Sequence, residues 1–184
     1  LNFQTLVIEL SGMQVAGSSL LDEGTAAAEA MTMCKRMHDD DARNAFFIDE
    51  GCHPQVIAVC QQRAEPLGIE VVIGDHRKAQ VGKNCFGALF AYPTTDGRID
   101  DLAASVQNAK AAGAFAGVTS DLLALTVLKA PGEFGCDFVC GNSQRFGVPF
   151  GYGGPHAAFL AGKKDFTRQL PGRIVGVSID ATGK

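Results

Sequence analysis

The chain has 184 residues, 16 of them basic and 20 acidic, for a net charge of −4. That length suits one hydrophobic core. The basic residues gather in nothing longer than the pairs Arg77-Lys78 and Lys163-Lys164, which argues against a nucleic-acid surface, and no apolar run approaches a membrane-spanning helix. Six cysteines (Cys34, Cys52, Cys60, Cys85, Cys136 and Cys140) form no CxxC pair and no metal or disulfide spacing, so they read as reduced thiols of an intracellular protein.

Phe3 to Leu10 is apolar and reads as helix, followed by a small polar loop from Gly12 to Ser19. Asp22 caps a second helix running to Met37, in which Ala27, Ala30, Met31, Cys34 and Met37 recur at helical spacing. Ala45–Asp49 is a buried strand, Pro54–Arg63 a helix with proline near its start, and Ile69–Gly74 a second strand. Cys85–Tyr92 is a third strand, closed by Pro93 and the Thr95-Asp96-Gly97 turn. A helix over Ile99–Ala112 ends at Gly113, and a fourth strand, Ala114–Thr119, leads to a short helix over Leu122–Leu128. Gly135–Val139 and Ala157–Leu160 complete six strands. This alternation predicts an α/β domain with a mostly parallel sheet flanked by helices.

Between the last two strands lies GNSQRFGVPFGYGGP, Gly141 to Pro155, which carries five glycines and two prolines around Phe146, Phe150 and Tyr152. Such a run is neither helix nor strand. It reads either as a loop that brings backbone close to a ligand or another chain, or as a tight hairpin packed on its own aromatic rings.

Ligands of parallel α/β sheets bind beyond the carboxyl ends of the strands, often at helix N-termini. Gly24 and Thr25 open the alanine-rich helix, where they could cradle a phosphate or simply cap the helix. His53 follows the first strand, either in a site or in an ordinary loop hydrogen bond; beside it, Cys52 has the composition of a nucleophile with a base but not the geometry, since adjacent extended residues face apart. Asp121 follows the fourth strand, either in a site or as the cap of the Leu122 helix. Gln144 and Arg145 follow the fifth, where Arg145 could hold a carboxylate or phosphate or pair with a carboxylate such as Glu133. Ala181-Thr182-Gly183-Lys184 is similar to the end of a phosphate-binding loop, but the preceding Gly176 is wrongly spaced for GxxxxGK.

NSQRFGVPFGYGGPHAAF resembles the N-terminal half of the glycine cleavage system P-protein family. LLDEGTAAAEAMTM (from Leu20), RAEPLGI (from Arg63), DLLAL (from Asp121) and PGRIVGV (from Pro171) resemble the same family in the same order, so the resemblance spans essentially the whole chain. It implies a single partial domain over residues 1–184, a fragment of the large domain of pyridoxal-phosphate fold type I, the aspartate-aminotransferase-like group. It further implies pyridoxal 5'-phosphate in the full enzyme, with Gly24, Thr25, His53 and Asp121 as the candidate cofactor-binding residues.

The sequence departs from the family's catalytic half at two points. Where that half carries its Schiff-base lysine, this chain has Gln144 or Arg145, neither of which can form a Schiff base. Keeping the PGEFG block in register puts Val118, not Asp121, at the ring-nitrogen position. The resemblance therefore implies decarboxylation of glycine by the whole protein, with release of carbon dioxide and transfer of aminomethyl to the lipoyl arm of H-protein. The competing class is a catalytically silent interaction half that pairs with the C-terminal half or a second subunit in a dimeric assembly; an unrelated nucleotide-binding α/β protein is a third reading. Mitochondrial matrix is expected in a eukaryote and cytoplasm in a bacterium, with no nucleic acid or membrane partner.

Overall fold

The computed structural model describes residues 1–78 and 80–183; Lys184, the end of the Ala181–Lys184 string, lies outside them. Seven strands form one sheet: β1 (Val15–Ala16), β2 (Ala45–Asp49), β3 (Glu70–Gly74), β4 (Cys85–Ala91), β5 (Phe115–Asp121), β6 (Phe138–Asn142) and β7 (Ala158–Gly162). Their order is β1-β7-β6-β5-β4-β2-β3. The pairs from β6 through β5, β4 and β2 to β3 are parallel, whereas β7 runs antiparallel to both β6 and β1.

Four α-helices cover the two faces: α1 (Asn2–Ser11), α2 (Glu23–Met37), α3 (Pro54–Ala64) and α4 (Ala103–Ala111). One core layer packs Val7 of α1 and Leu102, Val106 and Ala109 at α4 against Phe47, Phe90 and Val118 of the sheet. The other packs Ala27, Met31 and Cys34 of α2 and Val56 and Cys60 of α3 against Phe46, Leu89, Phe138 and Cys140. Alternation of side chains along each strand feeds both layers, which is why the central strands read as continuous apolar runs. Glycine in two of those strands makes room for rings. A Cβ at Gly87 would come within 2.7 Å of the Phe46 ring, and one at Gly117 within 2.4 Å of the Phe138 ring.

Several boundaries differ from expectation. Residues 99–102 precede α4 rather than open it, because the Asp101 carboxylate accepts the Ala103 N–H at 3.0 Å and Arg98 holds Asp100 at 2.9 Å. Leu122–Leu128 is not an α-helix; only Ala124–Thr126 makes a 3-10 turn. The strand expected at Gly135–Val139 starts three residues later, after a 3-10 turn at Pro131–Phe134 that ends on Gly135 at φ 94°. β1 lies within the stretch read as a loop, since two residues carry no periodicity.

Candidate functional site

A cleft of about 410 Å³ opens at the carboxyl ends of the parallel strands, lined among others by Glu23, His53, Thr119, Asp121, Gln144 and Arg145. A second hollow of about 220 Å³ shares Glu23, His53 and His156 with it and reaches Asp22 and Gly24 at the start of α2. Strand register accounts for the convergence. Thr119 and Asp121 pair with Cys140 and Asn142 across β5 and β6, so two residues of β5 and the loop after β6 meet at one level.

The N-terminus of α2 is held by the chain's own carboxylates. Asp22 Oδ1 accepts the Thr25 N–H at 2.7 Å, as an N-cap does, and Glu23 Oε1 accepts the Thr119 hydroxyl at 2.5 Å. Gly24 serves close packing: a Cβ there would lie 3.1 Å from Val59 of α3 and 3.4 Å from the Gln55 carbonyl. Exposed His53 shares a 3.0 Å hydrogen bond with the Thr95 hydroxyl through Nδ1. Its neighbour Cys52 is buried, and that burial, helped by Asp49, holds its thiol well above the usual range, so the two form no nucleophile–base pair.

Asp121 accepts the Leu123 N–H at 3.0 Å and pairs with Arg145 Nη1 at 3.2 Å. Arg145 thus meets Asp121 rather than Glu133. Val118 is fully buried in the α1/α4 layer, on the face of β5 away from the cleft. Gln144 ties the base of the glycine-rich loop together, its N–H bonded to Asn142 Oδ1 at 2.8 Å and its side chain to the Pro155 carbonyl at 2.9 Å.

The loop connects two antiparallel strands and so closes a hairpin, but a long one whose rings face outward. Phe146, Phe150 and Tyr152 are 45%, 79% and 112% exposed. Tyr152 turns the chain at φ 59°, a left-handed conformation uncommon outside glycine. Glu23 and Asn142 are cleft residues that sequence reasoning did not single out; His156, just past the glycine-rich loop, lines the cleft as well. The sequence signal for Glu23 was its place at the first position of the capped helix.

These groups do not fit a covalently held pyridoxal phosphate. Among the described residues that line the two hollows none is a lysine. Lys163 pairs with Asp137, at the opposite end of the sheet. A phosphate at the start of α2 would meet the carboxylates of Asp22 and Glu23, and the Thr25 N–H is already bonded. Among the described residues no group of three or more His, Cys, Asp or Glu is placed to hold a metal ion, and no helix is long and apolar enough to cross a membrane.

The fold is that of the large domain of pyridoxal-phosphate fold type I. A solved glycine decarboxylase (P-protein) of the glycine cleavage system, in inhibitor-bound form, superposes with a TM-score of 0.91 at 35% identity over 99% of this chain and 42% of its own. Cystathionine gamma-lyase from Lactobacillus plantarum shares the fold, with a TM-score of 0.71 at 13% identity over 89% of this chain and 42% of its own. Proteins named glycine dehydrogenase (decarboxylating) from a Nostoc species and from Cereibacter sphaeroides are 53% and 56% identical to this chain over its whole length, which spans 19% of theirs. The family model described as glycine cleavage system P-protein matches residues 1–184, and the chain belongs to that family.

Proposed function

We propose that residues 1–184 are part of the N-terminal half of a pyridoxal-phosphate-dependent glycine decarboxylase, glycine dehydrogenase (decarboxylating), and that this half does not carry the Schiff base. The complete protein releases carbon dioxide from glycine and passes the aminomethyl group to the lipoyl arm of H-protein. It works in a mitochondrial matrix or a bacterial cytoplasm according to its source. Residues 1–184 shape and support the catalytic half, with which they pair in a dimeric assembly. Gly24, His53 and Asp121 line the two hollows and the Thr25 N–H is bonded to Asp22 beside them; in this reading the four maintain the cleft and hold no pyridoxal phosphate.

The observation that carries the reading is the cleft itself, at the carboxyl ends of the parallel strands, whose described lining residues include Gln144 and Arg145 but no lysine, with two carboxylates at the helix N-terminus beside it. Arg145 cannot form a Schiff base, because its guanidinium stays protonated. Borohydride reduction of the complete, cofactor-loaded protein followed by peptide mapping tests it. The pyridoxyl label is expected on a lysine outside residues 1–184. A label on Lys163, Lys164 or any other lysine of this segment overturns the reading.

A further inference from the structure

We propose that the cleft at the carboxyl end of the sheet binds a small α-amino acid as a zwitterion, its ammonium on Glu23 and its carboxylate on Arg145. Both side chains are anchored to one face of β5. Glu23 hangs from the Thr119 hydroxyl at 2.5 Å and Arg145 from Asp121 at 3.2 Å. Residues two apart on a strand point the same way, roughly 7 Å apart along it. Anchored at Thr119 and Asp121, the two poles stand on the same side of the sheet and line one cleft, as partners for an ammonium and a carboxylate separated by one carbon must.

Both poles have capacity to spare. A carboxylate offers about four acceptor positions and a guanidinium five donors. Among the described residues Glu23 uses one position, toward Thr119, and Arg145 makes one ion pair. The Arg145 side chain is 69% exposed and both groups line the same hollow of about 410 Å³, which is within the usual range for small-molecule sites.

The sign of each pole follows from the surroundings. A bare helix N-terminus attracts anions. At α2 that preference is reversed by Asp22 and Glu23, two full negative charges against a partial positive one, so this wall takes the cationic end of a ligand. Arg145 is the only arginine or lysine lining the cleft among the described residues, which leaves it the anionic end. A phosphate ester lacks a cationic end for the Glu23 wall. An amine without a carboxylate leaves Arg145 unused.

The site does not depend on the proposed activity; only the choice of glycine as first probe does. The test uses the complete protein with its pyridoxal phosphate reduced onto its lysine by borohydride, so that the covalent site is closed. Hydrogen exchange is then followed in peptides covering residues 119–121 and 142–146. Glycine is expected to slow exchange there, while ethylamine, acetate and inorganic phosphate at the same concentration do not. Glu23→Gln and Arg145→Gln are each expected to raise the glycine concentration needed about tenfold or more, as loss of a charged hydrogen-bond partner does. Arg145 is exposed, so its variant folds even if Glu23→Gln does not. Absence of protection by glycine, equal protection by acetate, ethylamine or phosphate, or unchanged protection in both variants overturns the proposal. Failure of the borohydride mapping, by contrast, bears only on the proposed function.

Discussion

The two ends of the parallel sheet each carry a carboxylate with a basic partner, and they use it oppositely. At the amino end Asp137 is 6% exposed and sealed: it accepts the Ala116 N–H at 2.9 Å and pairs with Lys163 and, at 3.4 Å, with Lys110. At the carboxyl end Asp121 has a side chain 25% exposed, and its partner Arg145 lies in an open cleft. Every bond of Asp137 ties one element of the fold to another, so that charge serves stability. The Asp121–Arg145 pair joins a strand end to a glycine-rich loop and leaves most donors facing solvent. Exposed pairs of this kind contribute little to stability, so the place of this one is better explained by what it can meet.

The comparison breaks most severely at Gly141, which sits on the carboxyl side of β6 against Ser120. A Cβ there would come within 1.7 Å of the Ser120 carbonyl oxygen, a backbone atom that cannot turn aside. Gly141→Ala is expected to cost about 3 kcal/mol or more and to unpair β5 from β6, so the cleft is lost with the strand pairing. Purified protein with native-like circular dichroism and unchanged exchange in residues 138–142 would refute this.

Asp137→Ala tests the sealed end. It leaves the Ala116 N–H without its acceptor and two lysines without their partner. Both lysines keep some contact with water, so the loss falls short of that for a fully buried pair, at about 2–4 kcal/mol. In the complete protein, amide exchange of β6 should then quicken by roughly 30- to 1000-fold. A change of less than about threefold would mean that the seal contributes little.

The apolar layers on either side of the sheet carry a related effect of pH. Burial pushes the Cys60 thiol up to about 12, against a small opposing influence of Arg63, and burial also raises Cys34 and Cys140 well above the usual range. A raised pKa in the folded state means that the native protein holds these protons more tightly than the unfolded chain. The corresponding stability is fully present below the unfolded thiol value of about 8.5 and is lost as pH rises through the folded values. Denaturation midpoints should fall between about pH 8.5 and about 12, less steeply in Cys60→Ala, and these thiols should resist iodoacetamide until the protein unfolds. Rapid alkylation of native Cys60 at pH 8 would contradict the burial argument.

Arg145→Gln has the smallest expected effect on stability, under about 1 kcal/mol, because the pair it removes is exposed. Its effect on function is the sharper measure of the open end. Glycine turnover by the complete protein should fall while covalent pyridoxal content stays the same. Loss of the internal aldimine absorbance from a folded variant would show that this half holds the cofactor directly.

Local chemistry was enough to read most of the elements from the sequence, though not the two-residue β1 or the 3-10 turn at Ala124–Thr126. The Asp22 cap, the alanine spacing of α2, the proline at the start of α3 and the apolar runs of β2 and β4 are short-range signals, and each became the element it announced. The family was legible for a similar reason, since the glycine-rich loop and its companion blocks are contiguous strings. What local chemistry could not decide was which residues meet. Thr119 and Glu23 are 96 positions apart and share a hydrogen bond only because β5 ends beside the start of α2. Arg145 turned to Asp121 rather than Glu133 because β6 pairs in parallel with β5 and delivers the loop to that strand's end. Whether Asp121 or Val118 faces the site was settled by alternation along β5, which buries Val118 on one side of the sheet and turns Thr119 and Asp121 to the other. Propensity and capping act over a few residues and are written in the chain, but the balance of charge in the cleft depends on strand order and register, which exist only once the sheet has closed.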